Sequence, residues 1–269
     1  MTKLRPGQLV TGLVFCIPLL APVSCSLFRI SREEVQRHPA EPGMGLLVDN
    51  ACGDVTIGTW DHKEIEVMVV RTSWGGADEF DRIVLNIESG EPFRIETSFL
   101  EADVRASVDL HLRVPMGMSV ERVTSYNGDI VLAGTVGDAQ LESTNGDVTI
   151  TGHRGLISAS TTNGNITMIG DNEGFLVLDT THGLVTTELV ESPTVDGRIK
   201  VSNGGALIYL GENVNADLRL RVSNGELRTE GTDIDVRHLM GTRFEVVLGD
   251  SGAIVDIVAT NGDIQLASR

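Results

Sequence analysis

The sequence of 269 residues contains few aromatic side chains, with two Trp, two Tyr and seven Phe making up 4% of the chain. This scarcity excludes a core built on large rings. The many Val, Ile, Leu, Thr and Gly residues instead favour thin β-structure in which medium-sized side chains stack in layers. Hydrophobic residues account for 41% of the chain, which excludes a disordered composition.

Basic residues are also scarce, with 21 Lys and Arg against 38 Asp and Glu, for a formal net charge of -17. An acidic surface repels phosphate backbones, so we predict that the protein has no nucleic-acid partner. It also argues against docking on anionic lipid through a basic patch. Solubility explains this charge, and weak capture of divalent cations is the alternative.

Motifs of known catalytic and metal sites are missing. The histidines are widely spaced, and there is no His-Glu-x-x-His pair, nucleophile elbow, Walker loop or zinc-type Cys/His spacing. We therefore predict a protein that is not an enzyme, with no catalytic residue, cofactor or metal. Cys52 is the one cysteine beyond the first 25 residues, and we expect it to be a small core residue, with a reactive thiol as the alternative.

The N-terminus has the layout of an export signal. Lys3 and Arg5 precede an apolar run, Leu9–Val23, which ends at Ser24-Cys25. This stretch resembles the lipobox of bacterial lipoproteins, although Pro22 stands where that motif usually has leucine. The resemblance implies a signal peptide over residues 1–24 and lipidation of Cys25. A cleaved signal with simple secretion, or an uncleaved anchor, is the alternative.

Residues 25–45 form a polar stretch with helix and strand breakers, and we predict that they are a lipid-anchored linker. A short helix near Arg32–Arg37 is an alternative within it. Apolar alternation of period two begins at Leu46 and predicts longer strands up to Val120. A helical turn is expected only over residues 76–82. Residues 46–269 should then form one domain.

From Val120 onward the sequence repeats, which is informative because internal repeats fix an architecture. Each copy has an Asn-Gly or His-Gly corner, with alternating apolar residues before it. Copies recur at 18 to 21 residues, except the last, which lies 37 residues on. Met240-Gly241 is a candidate for the missing corner, and Asn50 to Asp54 for a degenerate early copy. The corners are Asn127, Asn145, Asn163, His182, Asn203, Asn224 and Asn261.

The repeat predicts a β-solenoid with about 18–21 residues per coil. Asn-Gly tolerates positive φ and turns the chain between two short strands. One such unit cannot bury its apolar face alone, so neighbours must stack, and the corner side chains would form a column. The alternative is a set of ordinary antiparallel hairpins with a shared turn preference.

Three features, Asn50 to Trp60, the Val108–Gly117 strand and the Ser/Thr-Asn-Gly-Asp/Asn repeats, resemble a bacterial family of putative adhesins built from β-strand repeats. Tyr126 departs from the Ser/Thr pattern. The resemblance covers roughly Leu46 to the C-terminus. It implies a β-solenoid fold and export, and it says little about activity.

Asp129 and Asp147 follow adjacent corners, so they should lie on neighbouring coils in an acidic column two residues deep. Turn chemistry explains both; a weak cation site or acid/base catalysis is the alternative. Trp60 and Trp74 are expected to cap the coil or to stack on sugar. The leading hypothesis is an adhesin-like structural or binding module of the cell envelope, held on a membrane by lipid and facing a glycan or envelope protein. A polysaccharide-active enzyme and a regulatory partner of envelope signalling are the alternatives.

Overall fold

The computed structural model describes residues 29–170, 175–190, 192–231, 234 and 236–268. Over these ranges, 21 strands join one hydrogen-bonded sheet, and the single helical element is a 3-10 helix, Ala77–Arg82. The predicted all-β class and the helical turn at residues 76–82 are confirmed. No helix within the described ranges is long and apolar enough to span a bilayer. The predicted signal peptide and Cys25 lie outside the described residues.

Seven strands precede the repeats, and they are longer on average than the strands that follow the corners. Their alternating burial reflects the period-two pattern of the sequence. The strands are β1 (Ile30–Pro39), β2 (Gly45–Asn50), β3 (Val55–Trp60), β4 (Glu64–Ser73), β5 (Ile83–Glu88), β6 (Phe93–Phe99) and β7 (Ala106–Pro115).

The linker predicted over residues 25–45 is wrong over much of its length. Strand β1 pairs antiparallel with β4 along ten residues, from Ile30 opposite Ser73 to Pro39 opposite Glu64. Most of its side chains are exposed, and in the described residues it pairs on one side only. An edge strand of this kind favours charged residues, so its sequence looks like a polar spacer. The same pairing shows that the helix considered near Arg32–Arg37 is also wrong.

We call each strand–corner–strand unit from residue 119 onward a repeat. In most repeats the chain breaks at the corner into two strands, whereas β14 and β15 run through it. The strands are β8 (Ser119–Asn127), β9 (Ile130–Ala133), β10 (Ala139–Asn145), β11 (Val148–Thr151), β12 (Ile157–Asn163), β13 (Ile166–Ile169), β14 (Phe175–Leu189), β15 (Gly197–Leu210), β16 (Ala216–Asn224), β17 (Leu227–Glu230), β18 (Val236–Met240), β19 (Arg243–Leu248), β20 (Ala253–Asn261) and β21 (Ile264–Ser268).

The repeats pair in parallel and in register. Before the corners, β10 lies between β8 and β12, with Asn145 opposite both Asn127 and Asn163. After the corners, β11 lies between β9 and β13, and its Val148 is opposite Ile130 and Ile166. Ordinary hairpins would pair antiparallel, so the hairpin alternative does not describe these strands.

The early strands extend the same two series of parallel strands. Strand β2 pairs with β8 and brings Asn50 opposite Ser125, while β3 pairs with β9 and brings Val55 opposite Ile130. Gly53 donates its N–H to the carbonyl of Asn127 at 2.7 Å. The degenerate copy therefore occupies the place of a preceding repeat.

The last repeats are not stacked in chain order, which the spacing did not predict. Strand β20 lies between β15 and β16, so Asn261 pairs with both Asn203 and Asn224. The corner expected at Met240-Gly241 is wrong, because β18 and β19 form an antiparallel hairpin there and β19 pairs antiparallel with β16.

The buried side chains form one hydrophobic cluster that runs from the early strands to the last repeat. Alternate residues before each corner are buried, for example Leu141 in β10 and Leu220 in β16. Residues after the corners supply the opposite side, such as Ile150 and Leu266. Aliphatic layers thus replace the large rings that the composition lacks.

Candidate functional site

The corner side chains lie in one column across the exposed edge of the repeats. Asn145 donates an Nδ2 hydrogen bond to Oδ1 of Asn127, and Asn163 does the same to Asn145, both at 2.7 Å. Asn203 Nδ2 lies 3.2 Å from Nε2 of His182. Each amide thus has its partner one repeat away.

At the late end of this column, the amide bonds follow the spatial order of the strands rather than chain order. Asn261 donates to Asn203 at 2.8 Å, and Asn224 donates to Asn261 at 2.9 Å. All seven corner positions predicted from the sequence therefore lie in register.

A second column runs beside the amides, and it is deeper than the two carboxylates predicted. Asp129 Oδ1 accepts the backbone N–H of Asp147 at 2.8 Å, and Asp54 Oδ1 accepts that of Asp129 at 2.9 Å. Asp109 continues the column beyond Asp54, whose N–H it accepts at 3.1 Å. The sequence did not reveal the depth, because Asp54 and Asp109 lie outside the regular spacing of the repeats.

Each of these carboxylates is occupied by a backbone donor of the next layer. The column continues with an amide, since Asn165 donates its N–H to Asp147 and accepts that of Leu184 through Oδ1. A neutral side chain therefore performs the same task as the acids. In the described ranges, no three His, Cys, Asp or Glu side chains come together as metal ligands.

A third column, of hydroxyl groups, was missed at the sequence level. Ser143 donates through Oγ to the carbonyl of Gly128 at 3.0 Å, and Thr161 donates through Oγ1 to that of Gly146 at 2.9 Å. The signal was a Ser or Thr two residues before each early corner. The column consists of Ser125, Ser143, Thr161 and Thr180.

Close stacking explains the glycine at each corner. A Cβ atom on Gly146 would collide with the backbone carbonyl of Gly128, which belongs to the neighbouring repeat. Gly164 meets Gly146 in the same way. Glycine is needed here because the two backbones approach each other, so the spacing of the repeats depends on it.

Cys52 lies half-buried at the start of the acidic column. Burial raises the pKa of its thiol, and the nearby carboxylates of Asp109 and Asp54 raise that pKa further. The thiolate is thereby disfavoured. This environment suits a structural cysteine better than a reactive one.

Trp60 ends β3 and Trp74 directly follows β4, so both precede the repeats. The Trp60 indole donates to the carbonyl of Glu64 at 2.8 Å, and the guanidinium groups of Arg37 and Arg113 lie 5.8 and 5.7 Å from its ring centroid. Its ring is thus engaged by the protein itself. Trp74 has 38% of its surface exposed.

A cleft on the outer side of the late repeats was not predicted. It has a volume of about 440 Å³ and spans β15, β20, β16 and β19. Four arginines and two acids line it together with apolar side chains, which is an unusual composition in a chain of net charge -17. The lining residues are Arg198, Arg219, Leu220, Arg221, Arg243, Phe244, Glu245, Asp256 and Val258.

No family model and no curated protein matches the chain. Among solved structures, the chain is similar to one described as a putative cell adhesion protein from Clostridium sporogenes, with 10% identity, a TM-score of 0.41, and coverage of 88% of this chain and 100% of that one. A putative adhesin from Bacteroides fragilis gives 8% identity, a TM-score of 0.45, and coverage of 88% and 97%. A putative lipid binding protein from Parabacteroides distasonis gives 14% identity, a TM-score of 0.42, and coverage of 88% of this chain and 96% of that one. At these scores neither fold nor function follows from the neighbours, and both are derived from the residues of this chain.

Proposed function

We propose that the chain is a non-catalytic binding module of the cell envelope, in which a β-solenoid presents a rigid, repetitive surface to a ligand. The observation that carries this proposal is the register of the repeats, which brings equivalent outward side chains into continuous rows. Rows of this kind offer an extended, preorganised surface, as stacked repeats use for binding.

The bonding of the acidic column supports a non-catalytic role. A general acid or base needs a carboxyl group that can exchange a proton with substrate. Asp129 and Asp147 each accept a backbone N–H, and Asn165, whose amide cannot act as a general acid or base, accepts the equivalent bond in the next repeat. These groups stabilise the corners, so the alternative of a polysaccharide-active enzyme has no support from them.

The double variant Asp129→Asn/Asp147→Asn tests this role. An asparagine Oδ1 can accept the same N–H, so we expect folding and ligand capture to be retained. A glycan array and a pull-down from envelope extracts measure the capture, and a polysaccharide depolymerisation assay runs beside them. Turnover by the natural chain that this variant abolishes would overturn the proposal in favour of the enzyme.

The proposal includes a lipid tether at Cys25, with the module held on a membrane in the periplasm or at the surface. Its support is the signal-like sequence up to Cys25, which precedes the described residues. Membrane fractionation with mass spectrometry of the mature N-terminus tests it, and Cys25→Ala is the matched variant. An acylated Cys25 is expected. A free N-terminus at another residue would leave secretion as the alternative.

A further inference from the structure

The arginines of the cleft come from three strands that are distant in sequence. Arg198 lies on β15, Arg219 and Arg221 on β16, and Arg243 on β19. Parallel register places Asp256 of β20 between Arg198 and Arg219. Four positive charges therefore face a shared cleft in which the acids are outnumbered two to one.

The acids in the cleft offset only part of the arginine charge. Asp256 and Glu245 lie opposite Arg219 on its two neighbouring strands, and Glu245 also pairs with Arg237 at 3.9 Å. Arg221 has no acid opposite it in register. Among the described residues, Arg219 and Arg221 form no ion pair within 4 Å, and both are exposed. Their guanidinium groups are thus available to a ligand from solution.

The spacing of the arginines suits an extended anion. Neighbouring strands lie about 4.8 Å apart, and residues two apart on one strand lie about 7 Å apart. Arg221 and Arg243 are opposite each other on adjacent strands, so their like charges repel until an anion lies between them. A guanidinium binds a carboxylate with two parallel hydrogen bonds, which gives directional as well as electrostatic recognition.

The floor of the cleft is apolar, which points to a sugar ring beside the anionic group. Val258 lines it opposite Arg221, and Phe244 lines it from β19, where it packs against the hydrophobic core. A pyranose ring has an apolar C–H face that can pack on such side chains while its carboxylate meets a guanidinium. A phospholipid bilayer or a nucleic acid would bring a broad negative surface against a protein of net charge -17, whereas a single glycan chain brings only the few carboxylates that enter the cleft.

We infer that this cleft binds a carboxylate-bearing glycan, a polymer or oligomer of uronic acid, with Arg219 and Arg221 as the central contacts. The inference rests on the proposed binding function and names the class of its ligand. Arg198 and Arg243 flank the two central arginines, and Val258 contacts the ring.

The repeat itself supplies a matched control. Arg219 lies five residues before the corner Asn224, and Arg122 lies five residues before the corner Asn127 at the other end of the repeats. Both are exposed arginines on parallel strands. Arg122 is next to Gln140 rather than to a second cluster of arginines, so removing it changes the net charge without touching the cleft.

The experiment titrates the full chain in detergent with an oligogalacturonate and with its neutral methyl ester, using calorimetry at two salt concentrations. Arg219→Gln/Arg221→Gln should weaken binding of the acid at least ~10-fold, because each lost charged hydrogen bond is worth about one decade or more. Arg122→Gln should change it less than ~2-fold, as a distant charge acts only through screened electrostatics. Circular dichroism on each variant checks the fold, and Arg198→Gln serves as a second variant if the double variant unfolds.

The outcomes separate this inference from the proposed function. Equal binding of acid and ester, or acid binding that survives both cleft variants, would overturn the inference. If the same arginines bind phosphatidylglycerol vesicles or DNA more tightly than the oligogalacturonate, the ligand is not a glycan and the inference is wrong. If a neutral glycan or an envelope protein binds while the oligogalacturonate does not, the inference fails and the proposed function stands. Failure of every glycan and envelope extract to bind removes both.

Discussion

The early repeats, residues 119–170, and the late repeats, residues 197–230 and 253–268, share one register but differ on three points. The early repeats stack in chain order, have hydroxyl groups beneath their corners and carry only two arginines, Arg122 and Arg154. The late repeats stack out of order, have Val201, Val222 and Ala259 in place of the hydroxyl groups, and bear the arginine cleft.

This difference shows which positions the fold fixes and which it leaves open. Corner glycine and buried aliphatic residues recur in both halves, because backbone approach and core packing require them. Outward side chains meet only solvent and their neighbours in the row. They can therefore change from Gln140 and Ser158 in the early repeats to Arg198 and Arg219 in the late ones without altering the register.

The largest effect should come from the feature that both halves share. Leu141→Ala in the early repeats and Leu220→Ala in the late ones each remove a buried side chain four residues before the corner. Each should cost about 3–4 kcal/mol in the free energy of unfolding, measured by urea denaturation. Glu142→Ala, on the exposed face, should stay within about 0.5 kcal/mol. A cost below about 1 kcal/mol at Leu220 would show that the core of the late repeats is less tightly packed than that of the early repeats.

A smaller loss of stability is expected when a corner glycine is replaced by alanine. Gly146→Ala places a Cβ against the carbonyl of Gly128, and the two backbones must move apart, at a cost of about 1–3 kcal/mol. Gly58 in β3 has no atom within 4 Å of an added Cβ, so Gly58→Ala is the matched control. That control should be neutral or slightly stabilising, since alanine restricts the unfolded chain. Equal thermal shifts in the two variants would contradict close contact between the repeats.

The hydroxyl column offers a sharper comparison of the two halves. Thr161→Val removes the donor to the Gly146 carbonyl and should cost about 1 kcal/mol. The reverse exchange, Val201→Thr, introduces a hydroxyl at the equivalent late position, where Gly183 would be the acceptor. We expect that variant to change stability by less than Thr161→Val does. Chemical denaturation of both variants tests this, and a larger loss at Val201 would mean that the late corners are packed differently.

The smallest effect concerns the thiol at the early end of the acidic column. Because burial and then Asp109 and Asp54 raise the pKa of Cys52, less thiolate is present at a given pH than in the unfolded chain. Alkylation of Cys52 at pH 8 should therefore be slower in the folded protein, and its rate should reach half-maximum at a higher pH. Asp54→Asn should speed it modestly. Mass spectrometry of the Cys52 peptide measures the rates, and a folded protein that reacts as fast as the unfolded one would refute the assignment.

Local signals explain what the sequence could predict. Asn-Gly corners and period-two alternation act within a few residues, so the all-β class and the corner positions could be derived from them. Strand β1 was not predicted, because an edge strand that is paired on one side needs no apolar alternation. The pairing of Asn261 with Asn203 was not predicted either, since copies with equal patterns can stack in either order.

The cleft could not be predicted for a different reason. Its arginines lie on strands that are remote in sequence, and only the insertion of β20 and the antiparallel pairing of β19 bring them together. Each arginine alone resembles an ordinary solvated residue. The net charge gave no indication of them, because it is summed over the whole chain and does not report a local cluster of arginines.

The position of β20 and β21 also determines when the late repeats can be completed during synthesis. Strand β16 leaves the ribosome before β20, yet in the parallel sheet its neighbour toward β15 is β20. Until residues 253–268 emerge, β15 and β16 each expose an unsatisfied row of backbone groups. Residues 253–268 then pair with β15 on one side and with β16 on the other, so the late repeats are completed in one step rather than layer by layer.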